Sequence, residues 1–230
     1  CGKFFGEACA SRDHSHGGRV RILLVEDHVM FREVLRKVCV TELKHEVVGE
    51  AGDGRTAVGL ALTTSPDLVL LDLHLPNLDG FSVIEALRQI APDIRILVLS
   101  SHCDEYTVWR SERTRVLGFV DKNTNTVATL QQAIAAVGEG RTYFSETFKR
   151  VKAARHKDSR SFDKLLSDRE LTVLTHIGTG QDDGEIARLL KLSTATVEKH
   201  RFNILGKLGL DGTKELVRYP RDHGFTLPSS

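Results

Sequence analysis

Apolar runs ending in turn residues mark the first half of the chain: Arg21-Ile-Leu-Leu-Val25, Asp67-Leu-Val-Leu-Leu-Asp72, Arg95-Ile-Leu-Val-Leu99 and Gly118-Phe-Val120. Short runs bounded this way read as strands buried on both faces. A further strand at about 46–51 completes the set. Between them, apolar residues recur three and four apart: Phe31, Val34, Leu35 and Val38 within 29–43; Ala57, Val58, Ala61 and Leu62 within 54–63; Phe81, Ile84 and Leu87 within 80–91; Val127, Leu130, Ile134 and Val137 within 126–137. That spacing places each set on one helix face. Alternating strands and helices predict right-handed crossovers and a doubly wound parallel sheet covered on both sides.

From Leu165 the period is helical, in four pieces. Ser167-Asp-Arg-Glu170 and Asp182-Asp-Gly-Glu185 are capping boxes, each pairing a short oxygen side chain with a glutamate three residues on. The first opens a helix with Leu171, Leu174 and Ile177 on one face, and the second precedes Ile186, Ala187, Leu189 and Leu190. Ser193 caps a third helix running to about Leu208. Thr213 opens a fourth, which Pro220 is expected to end near Tyr219 or to kink. Two short helices joined by a tight turn are the minimum of a helix-turn-helix. The predicted divisions are a disordered tail over 1–18, an α/β domain over 19–142, a linker over 143–164 and an all-α domain over 165–230. Between 149 and 164 seven basic residues face Asp158 and Asp163, which reads as a solvated linker, with a helical extension of its first part left open.

A chain of 230 residues has room for two cores. With 32 basic and 31 acidic side chains the net charge is +1, so a nucleic-acid partner has to be argued from a local cluster. Cys1, Cys9, Cys39 and Cys103 are too scattered for a disulfide framework and suit a reducing compartment. The tail's Cys1, Cys9, His14 and His16 lack the short spacing of a metal site. No apolar run approaches the roughly 20 residues of a membrane span, so a soluble, cytoplasmic protein without membrane contact is expected. The chain does not begin with Met, and its first 18 residues are set aside from the fold reading.

The strand tips carry the chemistry. In open parallel sheets the ligand crevice lies outside the carboxyl ends of the strands. Asp72 ends one strand, and Glu26 and Asp27 follow another. Three carboxylates gathered there repel unless a hard cation neutralises them, and oxygen ligands suit Mg²⁺. Ser100 ends a third strand, and Lys122 follows the fourth. A hydroxyl and a fixed ammonium beside three acids form a site for phosphoryl transfer onto a carboxylate nucleophile.

Glu26-Asp27, Asp72, the run through Pro76 to Asp79-Gly80, Ser100, Phe119 and Lys122 together resemble the receiver domain of two-component response regulators, over about residues 19–142. The resemblance implies a flavodoxin-like (CheY-like) five-stranded parallel sheet of order 2-1-3-4-5. It further implies Asp72 as phosphoacceptor from a sensor histidine kinase or a small phosphodonor. Mg²⁺ would be held by Glu26, Asp27, Asp72 and the backbone carbonyl of His74, with Ser100 and Lys122 on the phosphoryl oxygens. Phe119 would be a switch that rotates inward. His74 and His102, two residues beyond Asp72 and Ser100, are expected to tune the lifetime of the aspartyl phosphate. Where the family has a small Gly-Ala pair, Arg115 and Val116 stand here, after a helix carrying Trp109, Arg110 and Arg113; the usual activation surface is therefore expected to be altered.

In the third C-terminal helix Val197, Ile204 and Leu208 fall on one side, and Glu198, Lys199, Phe202 and Asn203 on the other. From Ser193 to Lys207 only Glu198 offsets Lys199, Arg201 and Lys207. Leu166-Ser-Asp-Arg-Glu170, Gly180, Glu185-Ile-Ala187, Thr196-Val-Glu-Lys-His200, Asn203-Ile204 and Lys207-Leu-Gly209 resemble the LuxR-type helix-turn-helix of NarL/FixJ response regulators. The implied DNA contacts are Thr194, Thr196, Glu198, Lys199, Arg201, Phe202, Asn203 and Lys207. Double-stranded DNA is the expected partner, bound in the major groove at paired half-sites by a homodimer formed on activation. No enzymatic activity beyond the receiver's own phosphotransfer and dephosphorylation is expected. The alternatives are a regulator of the same build whose activity does not need phosphate, and a haloacid-dehalogenase-like phosphatase, which would require a second acid where His74 stands.

Overall fold

The computed structural model describes residues 19–123 and 126–225; the expected disordered tail over 1–18 lies outside them. Six strands form one parallel sheet in the order β2-β1-β3-β4-β5-β6: β1 Arg21–Val25, β2 Glu46–Ala51, β3 Leu68–Asp72, β4 Arg95–Ser100, β5 Gly118–Asp121 and β6 Tyr143–Phe144. The expected order is present, but the sheet has six strands and not five. Tyr143 and Phe144 pair with Gly118 and Phe119, so the chain leaving the last receiver helix satisfies the open edge of β5.

Side-chain alternation splits the core in two. Leu23, Val25, Val69, Leu71, Ile96 and Val98 face one side, under α2 (Gly54–Thr64), α3 (Gly80–Ile90) and α4 (Glu105–Arg113). Ile22, Leu24, Leu68, Leu70, Leu97 and Leu99 face the other, under α1 (Val29–Lys37) and α5 (Val127–Gly138). The α1 path continues as a π turn over Val38–Glu42. Every residue of β3 is buried, which is why its sequence shows a continuous apolar run and no alternation.

In the basic segment the helical extension left open for its first part is present, and there the solvated-linker expectation is corrected. Glu146–Lys157 forms helix α6, capped by Ser145, and Phe148 is fully buried against the sheet. Its positive charge hid a packing face. A short helix α7 (Phe162–Leu165) then leads into α8 (Asp168–Gly178), α9 (Asp183–Leu190), α10 (Thr194–Leu208) and α11 (Thr213–Asp222). Both predicted capping boxes are formed. Helix α11 runs through Pro220 to Asp222, past the predicted stop at Tyr219. The following Phe225 N–H closes on the Pro220 carbonyl at 2.8 Å, and Pro220 itself is buried.

The two domains share an aromatic seam. Tyr106 of α4 stacks on Phe225 at 4.1 Å between centroids, and Trp109 meets Phe162 edge-on at 5.7 Å. The Tyr106 hydroxyl lies 3.2 Å from Thr175 Oγ1, and its backbone N–H donates to the His223 carbonyl. Asp104 approaches Gly224 so closely that a Cβ there would sit 1.7 Å from its carboxyl carbon, and Gly224 has φ +75°. Only glycine fits. At the seam's edge Arg113 pairs with Asp168, and the buried Arg155 guanidinium bridges Glu112 of α4 and Asp163 of α7. The fourth receiver helix, which departs from the family pattern, is thus the surface on which the C-terminal domain rests.

Candidate functional site: an acidic pocket and a helix-turn-helix face

Strand register assembles the pocket. Val25 pairs with Leu71, so Glu26 stands beside Asp72; Asp72 is level with Leu99, so Ser100 lies one step beyond; Ser100 pairs with Asp121, and Lys122 follows. Gly80 packs against the turn, where a Cβ would lie 2.6 Å from the Asp72 carbonyl oxygen, which accounts for Asp79-Gly80 as a helix start this close to the site. Asp79 caps α3 through the N–H groups of Phe81 and Ser82.

One carboxylate oxygen from each of Glu26, Asp27 and Asp72 lies within 4.8 Å of the other two. Lys122 Nζ donates to Glu26 Oε2 at 2.7 Å and to Asp72 Oδ2 at 2.6 Å. The other Asp72 oxygen, Oδ1, accepts from the His74 N–H at 3.0 Å. Glu26 and Asp72 are buried while Asp27 is exposed, so the pocket opens on the Asp27 side. Burial, with Asp72 next and opposed by Lys122, raises the Glu26 pKa to about 7. A buried acid cluster with one ammonium carries excess negative charge, and three hard oxygens around one point fit a divalent cation of the Mg²⁺ kind.

Ser100 is fully buried and its Oγ accepts from the His102 N–H at 3.1 Å. The His74 and His102 rings sit 4.5 Å apart at the rim, and both His74 ring nitrogens are buried without a hydrogen-bond partner. Burial first, then the neighbouring His102, lowers the His74 pKa. Phe119, expected to rotate inward on activation, is already fully buried in this structure and lies 5.0 Å from the Phe148 ring of α6.

The predicted DNA face is only partly where the sequence put it. Val197 and Ile204 are fully buried against the domain core, while Thr194, Glu198, Lys199 and Phe202 are exposed and Thr196 and Asn203 half-buried. Thr196 gives its backbone N–H to the Ser193 Oγ cap, and the two hydroxyls lie 2.7 Å apart. Two cations are engaged in ion pairs: the half-buried Arg201 with Asp183 at 2.8 Å, and Lys207, which stays exposed, with the buried Glu170 at 2.7 Å. Asp183 and Glu170 lie 18 and 37 residues away in sequence, beyond any helical spacing. Tyr106, Phe148, Arg155, Phe162 and Phe225 were missed as coupling residues. The available signal was on α4, where Tyr106 and Trp109 stand three apart on a helix whose sheet-facing residue is Val108.

A carboxylate pocket at the tips of a parallel sheet, joined through a helix to a helix-turn-helix domain, defines a response regulator. A response regulator receiver domain model matches residues 22–135, and a model of bacterial regulatory proteins of the luxR family matches 164–220. The chain belongs to the NarL/FixJ-type two-component response regulators and is a DNA-binding regulator. It is 32% identical over 203 residues to Fimbriae Z protein of Salmonella typhimurium, covering 88% of this chain and 96% of that one. It is 33% identical over 208 residues to the transcriptional regulatory protein MctR of Rhizobium johnstonii, covering 90% and 95%. Among solved structures, RcsB of Salmonella enterica serovar Typhimurium bound to promoter P1flhDC shares the fold, with a TM-score of 0.62 at 22% identity over 87% of this chain and 97% of that one. Among the described residues no helix is long and apolar enough to cross a membrane.

Proposed function

We propose that Asp72 accepts a phosphoryl group from the phosphohistidine of a sensor kinase, or from a small phosphodonor, and that this modification governs DNA binding by α9 and α10. The observation that carries the proposal is the Lys122 ammonium held between Glu26 and Asp72 beside three carboxylate oxygens within reach of one cation. Asp72 attacks phosphorus through a carboxylate oxygen as the donor's bond to phosphorus breaks, forming an acyl phosphate. Mg²⁺ on Glu26, Asp27, Asp72 and the His74 backbone carbonyl would offset the charge of the phosphoryl oxygens. Lys122 follows the phosphoryl group, loosening its hold on Glu26, and the Ser100 hydroxyl donates to a phosphoryl oxygen. The His74 and His102 rings screen the acyl phosphate from water and so set its lifetime.

The added charge, about −1.5 to −2 at neutral pH, acts on elements already linked to the effector domain. Phe119 lies three residues before Lys122 and packs on Phe148 of α6. The same helix carries Arg155 to Glu112 and Asp163. Strain at β5 therefore reaches the seam through α6 as well as α4. The chain is a cytoplasmic regulator that pairs as a homodimer on DNA, and its catalysis is confined to its own phosphotransfer and dephosphorylation.

The test is incubation of the full chain with acetyl phosphate and Mg²⁺, followed by phosphate-affinity electrophoresis. A retarded band that is abolished in Asp72→Asn and by chelation is expected. No retardation in the unaltered chain, with DNA binding intact, would replace this reading with a regulator that does not use phosphate.

A further inference from the structure

Phe202 is 77% exposed, more than any other large apolar side chain among the described residues. It contributes nothing to the core that α10 builds, which lies on the opposite face with Val197 and Ile204. It stands four residues after Glu198 and three after Lys199, so the three share one outward surface. With Arg201 and Lys207 engaged by Asp183 and Glu170, Lys199 is the α10 cation without an ion-pair partner among the described residues. The outward patch formed by Glu198, Lys199 and Phe202 is therefore nearly neutral and centred on an aromatic ring. A phenyl ring has no donor or acceptor with which to read base edges. The one apolar group on a base edge in the major groove is the C5 methyl of thymine.

We propose that Phe202 is a specificity-determining residue that packs on a thymine methyl in each half-site, so that the operator carries thymine at the base pair beneath it. This rests on the DNA-binding reading and goes beyond it by naming the group recognised. Of its neighbours, Lys199 would reach a flanking base or phosphate and Glu198 would accept from a base amine, which leaves this position to shape and apolar contact. Substituting Phe202 leaves folding untouched, because the ring is not packed against anything that stabilises the domain.

The experiment uses the full chain treated with acetyl phosphate and Mg²⁺. DNA bound from a random pool is sequenced, and the preferred site is remade with deoxyuridine replacing thymine at one symmetry-related pair of positions at a time. At one such pair, removing the methyl should weaken binding by about fourfold per half-site, the worth of one buried methyl group. Phe202→Ala, checked by circular dichroism, should bind thymine and deoxyuridine versions alike there while keeping its salt dependence. The proposal fails if deoxyuridine is silent at every position, as it would be for a ring wedged between base steps. It also fails if Phe202→Ala still discriminates the methyl. If the unaltered chain selects no DNA at all, the DNA-binding reading itself falls and the inference with it, an outcome distinct from binding without methyl sensitivity.

Discussion

Replacing Tyr106 by alanine tests whether α4 holds the effector domain. The side chain is 8% exposed, and both of its closest ring partners on the effector side, Phe225 at 4.1 Å and Phe162 at 6.1 Å, lie across the seam. A buried aromatic covers roughly 150 Å² or more, worth about 4 kcal/mol at 25 cal/mol per Å². Part of that ring also rests on Trp109 of its own helix, so about 3 kcal/mol belongs to the seam, a shift of about 150-fold toward the undocked state. Tyr106→Phe removes only the contact with Thr175 Oγ1 and should cost about 1 kcal/mol. Trypsin at Lys157, the exposed last residue of α6, and at Arg160 in the turn before α7, together with amide exchange over Phe162–Leu166, reports the undocked population. Cleavage and exchange should accelerate strongly in Tyr106→Ala and slightly in Tyr106→Phe, while Asp72 still takes phosphate in both. Unchanged exchange in α7 and α11 of a Tyr106→Ala protein with an intact receiver would refute the idea that this ring holds the domains together.

Further outcomes follow from the pocket and the α4 exit. Because the folded-state pKa of Glu26 is raised to about 7, its contribution to stability is present below about pH 4.5 and lost as pH rises through 7. Without metal the melting temperature should fall between pH 5 and pH 8; the stabilisation given by added Mg²⁺ should grow over the same range, and Glu26→Gln should flatten both trends. An equal Mg²⁺ shift at pH 6 and pH 8 would contradict this. Arg115 has φ 54°, a left-handed conformation that disfavours any residue with a Cβ, and the Arg88 guanidinium holds its carbonyl at 3.0 Å. Arg115→Gly should raise stability by about 1 kcal/mol in urea unfolding at unchanged slope.

The strands and the acid tips were legible because their signals are short-ranged, whereas the sheet order came only from the family resemblance. A period of two or 3.6, a cap and its partner three residues on, or an apolar run closed by aspartate lies within one element. Arg201 shows where that legibility stops. At 100° per residue it lies about 40° from Val197, on the buried side of the helix, so its inward turn follows from the wheel, but its partner Asp183 on the neighbouring helix is announced by nothing within helical reach. The residues 143–164 show the same limit: their charge is that of a solvated segment, while Tyr143 finds an open strand edge, Phe148 a gap over the sheet and Arg155 two carboxylates.

By itself, then, the chain's pattern determined two domains, the strand tips that carry Glu26, Asp27, Asp72, Ser100 and Lys122, and the helix that presents Phe202. Tertiary structure decided which face of α4 meets which face of the effector domain, and which cations remain free to meet DNA. The reason is physical: Tyr106 and Phe225 are far apart along the chain, and the free energy of their contact exists only once both domains have folded and met.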